Sequence, residues 1–173
     1  DTQLYTTLKR YKGADPQLAA ARTVGLLGRF LRDHRECIAS RGGQWDTITH
    51  VPSTSGRHPG VHPLARGLEM YQPLHRQHAE LLDRGPGEVE RSSGSDDAFI
   101  ARRDALGRAV LLIDDTWTTG AHAQSAASAL VIGGASVVAI VPVGRLIDPS
   151  FHADWWDGQR RRRFDFDVCC LET

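Results

Sequence analysis

The chain has 173 residues, enough for one domain with a substantial core. Its 21 basic and 21 acidic residues cancel, and the isoelectric point lies near 7.3, so no global field favours nucleic acid or an anionic membrane surface. No apolar run approaches the roughly 18–20 residues of a membrane-spanning helix, and no secretory leader pattern opens the chain. The three cysteines, Cys37, Cys169 and Cys170, form no Cys-x-x-Cys pair and no zinc-ligand spacing; an odd number points to a reducing cytoplasm over a disulfide framework. The first residue is Asp1 and not Met, compatible with a segment upstream of it.

In chain order, TQLYTTLKRYK predicts a short amphipathic helix with Leu4, Tyr5, Leu8 and Tyr11 on one side. Gly13 interrupts it. Asp15 as N-cap and Pro16 in the first turn open a second helix running to about Ser40, with Leu26, Leu27, Phe30 and Leu31 as its buried stripe. Residues 47–51 (TITHV) predict the first core strand, and Pro63 to about Tyr71 the helix after it. His75 to Asp83 is ambiguous between helix and strand. Residues 84–97 (RGPGEVERSSGSDD) lack apolar periodicity and predict a mobile loop. A weak strand at 98–101 precedes a strong one, Val110–Leu111–Leu112–Ile113, apolar throughout and so buried on both faces. A helix from Ala121 to about Ile132 ends at Gly133–Gly134. SVVAIVPV predicts another buried strand, and Phe164, Phe166 and Val168 alternate as a final, more exposed one. The histidines His50, His58, His62, His75 and His78 show no ligand spacing and are expected to be ordinary surface or loop residues. Arg160 to Arg163 are read as charges that solubilise an edge.

The most specific stretch is AVLLIDDTWTTGAHAQSAASAL, residues 109–130. A buried strand runs into two adjacent carboxylates, Asp114 and Asp115. A hydroxyl-rich turn of Thr116, Trp117, Thr118, Thr119 and Gly120 leads to Ala121 at a helix start. Helix N–H groups and the positive end of the helix dipole suit a phosphate. Thr118 and Thr119 add hydroxyl donors, Gly120 admits close backbone approach, and the paired acids can accept from two ribose hydroxyls. Earlier, VPSTSGRHPG places Ser53, Thr54, Ser55, Gly56 and Arg57 after the first core strand, small residues able to form an anion-binding nest with a cationic fork beside it.

Residues 110–121 resemble the signature of the type I phosphoribosyltransferases, which bind phosphoribosyl pyrophosphate (PRPP): four hydrophobic residues, two acids, two variable positions, then Thr-Thr-Gly-Ala. His122 departs from the Thr that often follows. Val51–Pro52, Arg66–Gly67, and Arg91 with Ala98–Phe99 are similar to the ComF-type branch, which is amidophosphoribosyltransferase-like, with Gly94 where Asn is usual. LYTTLKRYK resembles that group's segment after its zinc finger; the finger itself is not in these residues. The resemblance implies an α/β fold: a central, mostly parallel sheet of four or five strands, helices on both faces, and a small hood from the chain ends. A single domain then comprises a helical part (1–45), a PRPP-binding core (46–145) and a hood with an edge strand (146–173).

It further implies transfer of the 5-phosphoribosyl group to a nitrogen acceptor, nucleobase-like or amine, with release of pyrophosphate. Residues Asp114 to Ala121 would hold PRPP and Ser53 to Arg57 the pyrophosphate. Mg²⁺ would arrive with the substrate, met by Asp114 and Asp115 through water. The 84–97 loop would close as a lid, with Arg84 or Arg91 meeting the leaving group. Tyr5, Tyr11, Trp155 and Trp156 are candidates for a base-stacking acceptor pocket, and Trp117 is expected to face the ribose or the acceptor. No nucleic-acid or membrane partner is expected, and a homodimer is compatible. A second class stays open: a PRPP-binding accessory or regulatory module without turnover. Pyrophosphate release from PRPP distinguishes the two. The geometry both need is that the Ser53–Arg57 and Thr116–Gly120 loops flank one cleft.

Overall fold

A computed structural model describes residues 3–11, 16–53, 62–148, 150, 153–159, 165 and 167–169. Two helices, α1 (Gln3–Tyr11) and α2 (Pro16–Gly42), lead into strand β1 (Thr47–His50). Then come α3 (Pro63–Met70), a short α4 (Gln72–His75), β2 (Leu82–Arg84), β3 (Phe99–Ala101) and a 3₁₀ turn at Arg103–Ala105. The motif strand β4 (Ala109–Trp117), helix α5 (Ala121–Ile132), strand β5 (Ser136–Arg145) and α6 (Ala153–Gln159) complete the order. Among the described residues no helix is long and apolar enough to cross a membrane.

The architecture is α/β. β1, β4 and β5 form a parallel sheet in the order β1–β4–β5, with Ile48 opposite Leu111 and Ile113 opposite Val141. β2 and β3 pair antiparallel as a separate ribbon. A central sheet of four or five strands is not what the described residues form. The ambiguous 75–83 stretch supplies one reason: it turns after α4 and touches β1 through a single parallel bridge at His78. There the Ile48 amide donates to the Gln77 carbonyl (2.7 Å) and the Ala79 amide to the Ile48 carbonyl (3.0 Å). Lacking a period of two, that segment leaves the sheet after one rung. Residues 99–101 are extended as expected, but in the ribbon and not in the central sheet. Of the expected final strand, Phe164 and Phe166 lie outside the described residues, and Val168 sits exposed at a bend.

Alternation along β4 separates two cores. Leu111 and Ile113 join Ile48 and Val141 against α2 and α3, through Val24, Leu27, Leu31, Leu64 and Leu68. Val110 and Leu112 face the other way, with Val51, against Ala123, Ala126 and Leu130 of α5 and Leu82 and Phe99 of the ribbon. Complete burial of all four strand residues is why the run is apolar without a break. β5, which the sequence predicts to be buried, is largely half-buried and is the outermost strand of the sheet among the described residues; Pro142, which has no N–H to donate, is exposed on it.

α2 runs to Gly42, two residues beyond expectation, and its backbone leaves helical angles at His34 (φ −120°, ψ 16°). Leu27 and Leu31 of its expected stripe are buried, whereas Leu26 and Phe30 are half-buried and Val24 and Ile38 take the deeper places. α3 crosses α2 at Gly67, where a Cβ would stand 2.6 Å from a Val24 methyl. The Arg66–Gly67 pair therefore has a packing role in its glycine. α1 rests on β5, with Leu4 and Leu8 over Gly144.

Candidate functional site

The β4–α5 junction is built by a strand that outlasts its apolar run. β4 stays paired with β5 through Thr116 (opposite Gly144) and Trp117 (opposite Arg145). Asp114 and Asp115 are thus within the strand, and the turn shortens to Thr118, Thr119 and Gly120. Both acids are buried, 8% and 9% exposed. Successive strand positions face opposite sides, so Asp114 continues the α5 side set by Val110 and Leu112, and Asp115 the α2–α3 side. Gly120 takes the left-handed conformation (φ 86°, ψ −4°) as the N-cap residue of α5. This spares a side chain the cost of that conformation and turns the strand directly into the helix.

The Trp117 indole was expected to face a ligand. Instead it packs with the α5-side core and lies over Gly120, where a Cβ would come within 2.3 Å of the ring. By strict alternation Trp117 would join Leu111 and Ile113; the strand's end has twisted the ring to the other face. The indole therefore walls the turn.

The 85–98 segment is irregular, as its composition predicts, yet it lies along α5. The Ser95 amide donates to Ser125 Oγ (2.9 Å), whose own hydroxyl donates to the Ala121 carbonyl (2.8 Å). Ser128 Oγ donates to Asp96 (2.7 Å). Thr119 Oγ1 donates to the Arg91 carbonyl (2.5 Å) and receives the Ala121 amide at 3.5 Å. A Cβ on Gly94 would stand 3.0 Å from Ser125 Oγ. An Asn at 94 would crowd the helix, which accounts physically for a glycine at that place.

At the neighbouring strand end, the Val51 amide donates to the Ile113 carbonyl (2.9 Å), so Pro52 and Ser53 leave the sheet beside Asp114. Thr54, Ser55, Gly56 and Arg57 lie outside the described residues, as does His58. On the other side of this strand end is a cleft of about 260 Å³ lined by His50, Ser53, His62, Glu80, Arg84 and Arg102, among others. Arg102 is engaged by Asp83 (2.7 Å) and Glu80 (3.4 Å). Arg84 closes β2 and so belongs to the cleft, not to the loop. Arg91 is exposed, and what it brings to the turn is its carbonyl.

His50 corrects the expectation of ordinary surface histidines. It ends β1 at 6% exposure, stacked on His62 (ring centroids 5.1 Å apart) and tilted against His78 (5.6 Å), with His78 Nε2 and His50 Nδ1 3.4 Å apart. Burial, with the positive charge of His62, His78 and Arg102 adding to it, pushes its pKa down to about 3, so His50 is neutral at neutral pH. Burial also lowers His78, against the opposing pull of Glu69 and Glu80. No spacing in the sequence announces this trio. The one available signal is the place of His50 within the core strand predicted at 47–51.

The structure thus brings Ser53 and the Asp114–Ala121 turn to the carboxyl ends of neighbouring strands, and places Arg84 in the same cleft as Ser53. His122 is half-buried in the first turn of α5. Of the aromatic residues proposed for an acceptor pocket, Trp156 is half-buried in α6, and the side chains of Tyr5, Tyr11 and Trp155 lie outside the described residues. Arg160–Arg163 lie outside them as well. No protein-family model matches this chain, and no curated protein matches it.

Proposed function

We propose that the chain binds PRPP at the carboxyl edge of its parallel sheet and transfers the phosphoribosyl group to a nitrogen acceptor, releasing pyrophosphate. The observation that carries this reading is the β4–α5 junction: two buried adjacent carboxylates followed by a Thr-Thr-Gly turn whose left-handed Gly120 aims a twelve-residue helix at the same spot. The turn and the α5 N-terminus suit the 5-phosphate, since peptide dipoles and N–H groups converge there. Asp114 and Asp115 suit the ribose hydroxyls, and residues Ser53 to Arg57 suit the pyrophosphate, with Arg84 lining the same cleft as Ser53. The finer fold assignment, a type I phosphoribosyltransferase core, belongs to this proposal.

The donor set also fits magnesium. Carboxylate oxygens are the hard ligands this ion takes, and two acids directed to opposite faces suit contact through its water shell better than joint chelation. When bound with PRPP, Mg²⁺ would neutralise part of the pyrophosphate charge. The chain's own residues would hold the sugar, exclude water through the 85–98 segment and keep C1 exposed to the nucleophile. The Thr119 hydroxyl has one proton, and it is donated to the Arg91 carbonyl. A phosphate that takes this donor frees the Arg91 carbonyl, so ligand binding and the position of the loop over the turn are coupled.

That same bond favours a second reading, a PRPP-binding accessory module in which the loop reports occupancy and no acceptor reacts. Pyrophosphate release from PRPP and Mg²⁺, assayed with a panel of nucleobases and amines, separates the two. Release with one class of acceptor supports the transferase. Saturable PRPP binding without release supports the module. Absence of both binding and release overturns the proposal.

A further inference from the structure

Away from the sheet's carboxyl edge, His34 and Cys37 of α2 meet Cys169 near the chain's end. One imidazole nitrogen and the two Sγ atoms all lie within 4.8 Å of one another. His34 and Cys169 are buried, 6% and 5% exposed, and Cys37 is half-buried. The i, i+3 spacing puts His34 and Cys37 on one helix face, and the helical backbone breaks at His34 itself. Five residues beyond Cys37, α2 ends at Gly42 against Val138, near the start of β5, so the group lies toward the sheet's amino side, away from the Ser53 and Thr118–Gly120 loops.

We propose that His34, Cys37 and Cys169 bind a structural zinc ion that fastens residues 167–169 to α2. An imidazole with two thiolates is the soft N/S donor set zinc takes. Tetrahedral Zn–S and Zn–N bonds place ligand atoms roughly 3.3–3.8 Å apart, so closing from 4.8 Å takes about 1 Å of side-chain adjustment. A disulfide requires contraction to about 2 Å. Neutral imidazole and two thiolates balance the ion's charge, which suits a buried place; two thiol protons leave to solvent as the ion binds. The fourth position falls to water. The residues are 132 positions apart in sequence between Cys37 and Cys169, which is why inspection of spacings alone shows no ligand set.

The test uses the full, tag-free chain, reduced and stripped of metal, titrated with Co²⁺ and then with Zn²⁺. The expected result is about one ion per chain, a thiolate-to-cobalt charge-transfer band with the visible bands of tetrahedral Co²⁺, bleaching on addition of Zn²⁺, and release of about two protons per ion. Cys37→Ser and Cys169→Ser should each remove about half of the charge-transfer intensity. Each should also weaken binding by more than the roughly 10–100-fold typical of substitutions around a metal's ligands. The unaltered protein decides the matter even where a variant fails to fold. Absence of a charge-transfer band in that protein overturns the site, as does a Cys37–Cys169 disulfide that persists in reducing buffer, or a band left intact by both substitutions.

Discussion

Two regions share the carboxyl edge of the sheet and differ in how they are assembled. The β4–α5 turn is a single run, Asp114 to Ala121, in which one strand, one left-handed glycine and one helix N-terminus fix the geometry. The histidine cleft beside β1 draws His50, His62, Arg84 and Arg102 from separate segments, with His78 packed against His50, and its character comes from burial. A contiguous site depends on local backbone chemistry, whereas a dispersed one depends on packing and on the protonation states that packing imposes. The two should therefore fail in different ways.

The largest effect is expected at Gly120. An alanine there meets both the left-handed penalty and the Trp117 ring, 2.3 Å from where its Cβ would stand. Gly120→Ala should lower unfolding free energy by about 2–4 kcal/mol. Denaturant melts read this directly, and parent-like stability would mean that the turn is not governed by that residue.

Acid should act on the cleft instead. The unfolded chain protonates His50 near 6.5, whereas the folded chain resists down to about 3. Between those values the unfolded state binds more protons, so stability falls as pH falls: the contribution is intact above about pH 6.5 and is lost progressively toward pH 3. By pH 5 the loss from His50 alone is about 2 kcal/mol. Comparing denaturant midpoints at pH 7.5 and pH 5, His50→Asn should shrink the difference by about that amount. An undiminished difference would assign the acid sensitivity elsewhere.

Legibility followed the same division. The buried strand, its paired acids and the helix from Ala121 to Ile132 could be read because a four-residue apolar run and a Gly-Gly stop are local signals. The sheet's extent could not. Residues 76–81 make one bridge only, and 98–101 pair in a ribbon whose partner, Leu82–Arg84, carries no period of its own. Trp117 escaped because alternation fails where the strand twists at its end. His50, His62 and His78 converge through β1, the residue before α3 and the bridge at Ile48. Such a meeting is long-range, and no spacing records it.

Smaller effects sharpen the comparison. Thr119→Val keeps the branched shape and removes the donor to the Arg91 carbonyl. Unfolding free energy should fall by only about 1 kcal/mol, with faster hydrogen exchange across 91–95, while PRPP affinity drops about tenfold. Unchanged affinity in calorimetry would remove Thr119 from the phosphate site. Smallest is Arg102→Ala. Its ion pairs with Asp83 and Glu80 are about half exposed, so the loss should be about 0.5 kcal/mol and should vanish in high salt.

The central claim is that Asp114 and Asp115 meet a ligand and do not hold the fold together. The most direct measurement is thermal melting of the parent and of the doubly substituted Asp114→Asn, Asp115→Asn protein, each with and without PRPP and Mg²⁺. The account predicts a parent whose Tm rises with PRPP in a magnesium-dependent way, by linkage. The apo variant should stay folded with a Tm close to the parent's, because Asn keeps the size and the hydrogen-bonding capacity of each side chain, and it should no longer respond to PRPP. A variant that unfolds, or one that folds and responds fully, contradicts the claim.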